Sequence, residues 1–256
     1  MTGYCKFQYI KKNHYYLLYI IFSKKKLISN YFIYKKSWSD CDTIITNPNI
    51  KLETFLPPED KNQIHYISSR DANGLNNGTF LLRVHPWSLN LMMRAMSYYY
   101  YNPSYILKFS DQSSLNNVLT TTTKEKGHYI IVPQTWFNRY VSIETLEDDN
   151  EDMNDDEDEN EENNIYNIYD LEREDKYENN NENENKKKIK VTDKDKGNFL
   201  IHLAGLPDKA GIAKIMRSKV MNDIKSYTSK TNKELREEVL EYYNRPKNQQ
   251  LKIFLQ

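Results

Sequence analysis

Asp40-Cys41-Asp42 sets two carboxylates two residues apart. On an extended chain such a pair projects from one face, where both groups can share a single hard cation. The same tripeptide also arises by chance in polar surface turns. Its setting points toward a cation. It abuts the β-branched run Thr43-Ile44-Ile45-Thr46, which stops at Asn47-Pro48, and carboxylates at a strand end can hold a metal over a phosphate-binding crevice. His202 lies inside the apolar run 199–204. It is either a hydrogen-bonded core histidine or a third ligand for an ion such as Mn²⁺.

Two further segments carry candidate chemistry. Asp71-Ala72-Asn73-Gly74-Leu75-Asn76-Asn77-Gly78 contains two glycines whose spacing permits close backbone approach of a ligand, with amide side chains able to bind hydroxyls. The alternative is an Asn-Gly turn leading into a strand. Asp111-Gln112 presents a carboxylate and an amide to a sugar, or simply caps a helix.

These residues need elements to hold them. The run 79–84 suits a buried strand, and Pro86 opens a helix with Leu89, Met92, Met93 and Met96 on one face. A second helix, capped by Asp111, passes through Leu115 and Leu119, and residues 128–132 supply another strand before Pro133. The run 198–204 reads as a strand closed by Gly205. Beyond it, Ile212, Ile215, Met216, Val220 and Ile224 recur at helical spacing, and Thr231 with Glu234 forms a capping box ahead of Leu235 and Val239. Strand followed by helix is the α/β pattern. Residues 1–37 form a poorly defined N-terminal segment in which Lys35-Lys36-Ser37 interrupts the apolar lead into Asp40.

The 256 residues suit one main domain. Formal charge is zero, with 36 basic and 36 acidic residues, but residues 146–185 hold 19 acidic and 2 basic side chains. The rest of the chain therefore carries 34 basic against 17 acidic. Because Asn, Lys, Tyr and Ile are overused throughout, the basic surplus reflects composition, and no nucleic-acid partner is expected. Residues 146–185 are too poor in apolar groups to offset the entropy of ordering and read as a disordered insertion. Two cysteines exclude a disulfide framework and a thiolate-rich zinc site. The longest apolar stretch, eight residues, falls well short of the about 20 that a membrane-spanning helix needs.

Taken in order, the segments Trp38-Ser39-Asp40-Cys41-Asp42-Thr43-Ile44-Ile45-Thr46-Asn47-Pro48, Phe55-Leu56-Pro57-Pro58, Ser69-Arg70-Asp71-Ala72-Asn73-Gly74, Asp111-Gln112-Ser113, Val132-Pro133-Gln134-Thr135-Trp136-Phe137-Asn138 and Phe199-Leu200-Ile201-His202-Leu203-Ala204-Gly205 resemble glycosyltransferase family 34. That family comprises fungal galactosyl- and mannosyltransferases and is related to plant xyloglucan xylosyltransferases. The resemblance implies a GT-A, Rossmann-like α/β fold over 38–145 and 186–256. It also implies metal-dependent transfer of a galactosyl or mannosyl unit, with retention, from UDP-galactose or GDP-mannose to a glycan or glycoprotein acceptor.

By the same carry-over Asp40, Asp42 and His202 hold Mn²⁺ or another divalent cation. Asp111 and Gln112 are the catalytic candidates, and they orient the donor sugar together with Asn76. Gly78 and Lys209 complete the donor site, Lys209 standing in for the basic residue that members place near the diphosphate. Golgi membrane residence is a further implication. The resemblance also implies a nucleoside-binding βαβ region ahead of the Asp-x-Asp motif that is longer than the 39 residues preceding Asp40. The chain is thus expected to be N-terminally shortened, with a non-catalytic relative that acts only by binding as the competing reading.

Overall fold

The computed structural model describes residues 34–146, 165–167, 188–206 and 208–253. All of them fall in one compact unit, Phe32–Gln256, and the second unit, Met1–Tyr31, lies outside the described residues. The strands are β1 Tyr34–Ser39, β2 Thr43–Ile45, β3 Tyr66–Asp71, β4 Gly74–Arg83, β5 Tyr129–Ile131, β6 Arg139–Tyr140, β7 Ile143–Leu146, β8 Ile165–Asn167, β9 Lys188–Val191 and β10 Leu200–His202. The helices are α1 Pro86–Tyr101, α2 Ser110–Thr121, α3 Lys209–Asn222, α4 Ile224–Tyr227 and α5 Asn232–Asn244. The class is mixed α/β, as the sequence implies.

A four-stranded sheet runs β1-β4-β3-β5, with only β3 and β5 parallel. Side-chain alternation splits its two faces. Tyr66, Leu75 and Ile131 pack with Leu91, Met92, Leu115 and Leu119 of α1 and α2. Ile67, Leu81, Ile130 and Val132 pack instead with Phe55, Trp136, Phe137, Phe199, Leu235, Val239 and Tyr243, placing α5 on the opposite side. The cap predicted for α5 is present: the Thr231 hydroxyl accepts from Glu234 N–H while Glu234 accepts from Thr231 N–H. A second sheet, β2-β10-β6, buries Ile44 and Ile201 against Ile212, Ile215, Met216 and Val220 of α3.

Several expectations need correcting. The α1 face named from sequence is rotated: Leu89, Met93 and Met96 are 49 %, 60 % and 56 % exposed, whereas Ser88, Leu91, Met92 and Tyr98 are buried. The buried stripe thus includes a serine and a tyrosine and is less apolar than the exposed one. Helix α2 begins at Ser110, and the Ser113 hydroxyl, not Asp111, accepts from the Phe109 N–H at its start. Lys35 and Lys36 do not interrupt the strand. They lie in β1, an edge strand with a register shift between Tyr34 and Lys36, and edges with bulges are where lysines are accommodated.

Most of the tract 146–185, read from composition as a disordered insertion, lies outside the described residues. That reading does not extend to Ile165–Asn167, which pairs antiparallel with β9 in a third sheet, β7-β9-β8. The tract's one apolar cluster, Ile165-Tyr166-Asn167-Ile168-Tyr169, supplies this strand.

Candidate metal centre

Asp40 and Asp42 sit where the chain leaves the first sheet and enters the second. They do not lie on an extended segment. The Thr43 N–H donates to the Asp40 carbonyl at 3.3 Å and the Thr43 hydroxyl donates to the same oxygen at 2.8 Å, so the motif is a closed turn. Two strand pairings anchor it. The Asp40 N–H donates to Gly78 O at 2.8 Å, continuing the β1–β4 ladder, and the Leu203 N–H donates to Asp42 O at 2.9 Å, continuing β2–β10. The second pairing places His202 opposite Thr43. A single antiparallel register thus brings together residues 160 positions apart.

Among the described residues, Asp40, Asp42 and His202 form the one group of three metal-binding side chains, each offering a ligand atom within 4.8 Å of the others. His202 Nε2 is 3.1 Å from Asp42 Oδ1, and the ring is only 4 % exposed. The indole N–H of Trp38 donates to Asp40 Oδ1 at 2.8 Å. Lys209 Nζ donates to Asp42 Oδ2 at 2.7 Å. Burial pushes the Asp40 carboxyl above its ordinary value, the Trp38 and His202 contacts only partly opposing it. Burial acts the same way on Asp42, but there the Lys209 hydrogen bond and charge, with His202, win and hold the group below its ordinary value.

The donor set fits a divalent cation. Two carboxylates and one imidazole match the harder first-row ions such as Mn²⁺.

The other residues that the sequence singles out divide. Asp111 and Gln112, in the first turn of α2, both reach Asn77. Asn77 Nδ2 donates to Asp111 Oδ2 at 2.7 Å, and the Asn77 N–H donates to Gln112 Oε1 at 3.4 Å. Asn77 precedes Gly78, whose carbonyl holds Asp40, so this pair flanks the metal centre. Asp111 is exposed. Asn76, by contrast, is 5 % exposed, and its amide is fully engaged: it accepts from Gly78 N–H and Asn138 Nδ2 and donates to Asp71 and Tyr140. It has no hydrogen-bonding position left for a sugar. The close approach that Gly78 permits is to the His202 ring and not to a ligand, since a Cβ there would lie 2.2 Å from His202 Cε1. Residues 71–78 form a tight hairpin turn and the start of β4. The turn is Ala72-Asn73, with Asn73 N–H donating to Asp71 Oδ1 and Gly74 at φ +103° starting β4.

Four contributors have no role that the sequence assigns. Trp38 and Asn138 lie in the quoted segments without distinguishing marks, and Asp71 and Tyr140 form the far end of the polar network. The Tyr140 hydroxyl donates to Asp71 Oδ2 in a short contact, and burial, then Asp71, push its phenol well above the usual range. The available signal is Asn138 directly after Trp136-Phe137: a polar side chain among buried aromatics requires partners.

Comparison with known proteins adds a family. The model of the galactosyl transferase GMA12/MNN10 family matches residues 57–209. No curated protein and no solved structure matches the chain.

Proposed function

The chain belongs to the galactosyl transferase GMA12/MNN10 family, and from that premise we propose that it is a metal-dependent, retaining hexosyltransferase of GT-A type. The observation that carries the proposal is the convergence of Asp40, Asp42 and His202 on one point. In this reading the donor is UDP-galactose or GDP-mannose and the acceptor is a glycan or glycoprotein. The three residues hold Mn²⁺ or another divalent ion, which when bound supplies positive charge to the leaving diphosphate.

The chain's own groups divide the remaining work. Lys209, 46 % exposed at the rim, can turn from Asp42 to a phosphate oxygen at little conformational cost. Asp111 and Gln112 accept hydrogen bonds from sugar hydroxyls and amides, in the way they now accept from Asn77. Asn76 keeps the floor of the site in shape instead of touching the donor. Among the described residues no side chain stands out as a nucleophile, which suits a reaction on one face of the sugar in which the departing phosphate helps remove the acceptor proton. By analogy with the family we also propose residence at the Golgi membrane. Among the described residues no helix is long and apolar enough to cross a membrane.

The test is direct. The purified chain is incubated with each nucleotide sugar, an oligosaccharide acceptor and Mn²⁺, with and without chelator, and products are read by mass spectrometry and linkage NMR. Cation-dependent formation of an α-linked product is expected. Donor and cation that fail to bind would instead assign the chain to the non-catalytic, binding-only class. Lys209→Ala is expected to raise the donor KM about 10- to 100-fold with a smaller change in kcat, the loss of one charge-assisted hydrogen bond, as steady-state kinetics would measure.

A further inference from the structure

We propose that Asn138 is a positioning residue that fixes His202 as the tautomer protonated on Nδ1, so that the Nε2 lone pair faces Asp40 and Asp42. This rests on the metal-centre reading above and deepens it. The order of donors and acceptors through the buried network dictates the tautomer. The Gly78 N–H can only donate, so the Asn76 atom 2.9 Å away is its carbonyl oxygen. At the other end the Asp71 carboxylate accepts from Asn73 N–H and Tyr140 as well as from Asn76 at 2.8 Å, so the Asn76 atom there is its nitrogen. Both ends require the same orientation.

Asn138 meets Asn76 Oδ1 at 2.7 Å and must place its own nitrogen there, the same nitrogen that donates to Ser69 Oγ at 2.8 Å. Its oxygen therefore faces His202 Nδ1 at 2.8 Å, and an acceptor at that distance calls for a proton on Nδ1. Flipping Asn138 alone would set two carbonyl oxygens against each other at 2.7 Å in a site where Asn138 and Asn76 are 0 % and 5 % exposed, an arrangement whose unmet polar groups are costly. The orientation is set by a backbone amide and a carboxylate. It reaches the imidazole through two asparagines, and the Tyr140 ring, edge-on to His202 at 5.8 Å, adds a packing contact. A ligating histidine held through its second nitrogen is the usual means of presenting the first.

Two measurements on the full chain decide the matter. Histidine-selective ¹⁵N labelling without metal, at pH about 8.5 and so above the ordinary imidazole range, gives five ring systems, with His202 assigned by its absence in His202→Gln. The Nδ1–H coupling pattern is expected; an Nε2–H pattern overturns the proposal. Titration with Mn²⁺ should then show Asn138→Leu binding about 10- to 100-fold more weakly than the unaltered chain. Unchanged affinity in a folded Asn138→Leu overturns the positioning role and leaves the metal centre standing. If the unaltered chain shows Nδ1–H yet binds no Mn²⁺, the positioning claim holds and the transferase reading is what fails. Should Asn138→Leu not fold, Asn138→Ser is titrated in its place, with the same weakening expected and unchanged affinity again overturning the positioning role.

Discussion

Gly78→Ala is expected to abolish sugar transfer and to weaken Mn²⁺ binding by at least about 10- to 100-fold, although the substitution adds one methyl group and touches no ligand atom. The added Cβ would stand 2.2 Å from His202 Cε1, 2.8 Å from its Nδ1 and 3.1 Å from Asn76 Oδ1. Contacts this short force movement, and the ring has little freedom to move: it is 4 % exposed and hydrogen-bonded through Asn138. Overfilling a packed site costs about 1–3 kcal/mol, so the chain should still fold with a lowered melting temperature. Calorimetric Mn²⁺ titration beside thermal denaturation checks both parts. A folded Gly78→Ala with normal affinity would show that His202 does not ligate from this position.

Asp40→Asn and Asp42→Asn should each lower transfer about a thousandfold, equivalent to about 4 kcal/mol of lost transition-state stabilisation. Their effects on the metal-free fold should have opposite signs. Burial raises the Asp40 carboxyl above its ordinary 3.8. The folded chain therefore holds that proton more tightly than the unfolded chain, and stability falls as pH climbs from the ordinary value through the raised one. At neutral pH the cost is fully present, so Asp40→Asn should raise the melting temperature in chelator.

Asp42 behaves in reverse. Although burial opposes it, Lys209 and His202 hold its carboxyl below 3.8. Its contribution is present above the ordinary value and is lost as acid carries the pH down through the folded one. Asp42→Asn should therefore melt earlier than the unaltered chain at neutral pH. Identical shifts in the two variants would contradict this assignment of their environments. Opposite shifts would mean that half the carboxylate pair is kept at the expense of stability, the usual mark of a group retained for what it binds.

The sequence discloses the ligands of this site better than their supports. Asp40 and Asp42 stand out by spacing, and Leu200–His202 by its apolar run, because ligand chemistry and strand burial both leave a local signature. Neither Gly78 nor Asn138 does. The need for glycine at 78 comes from a ring 124 positions further along the chain, and local patterning cannot register a contact at that separation.

Strand β3 is hard to read for a related reason. Its inward positions include Ser68 and Ser69, both 0 % exposed; Ser68 donates to Asn76 O and Ser69 accepts from Asn138, so the strand lacks the apolar alternation by which strands are read. The α1 face misleads because Leu89, Met93 and Met96 lie on the exposed side and imitate a core stripe, while Met92 alone of the four faces inward. In each case a tertiary contact outweighs the local pattern.

The third sheet bears on how the acidic tract relates to the site. Strands β7 and β9 zip together at its two ends, from Ile143 opposite Val191 to Leu146 opposite Lys188, and the N–H of Thr192 donates to Ser142 O just beyond. The tract leaves and rejoins the body through one narrow neck, beside the short strand that pairs with His202. Chain added or removed past that neck leaves the β7–β9 register as it is. Doubling the tract would cost the fold only about 0.6 kcal/mol in closure entropy, so the neck uncouples the tract's length from the stability of the body that carries the site.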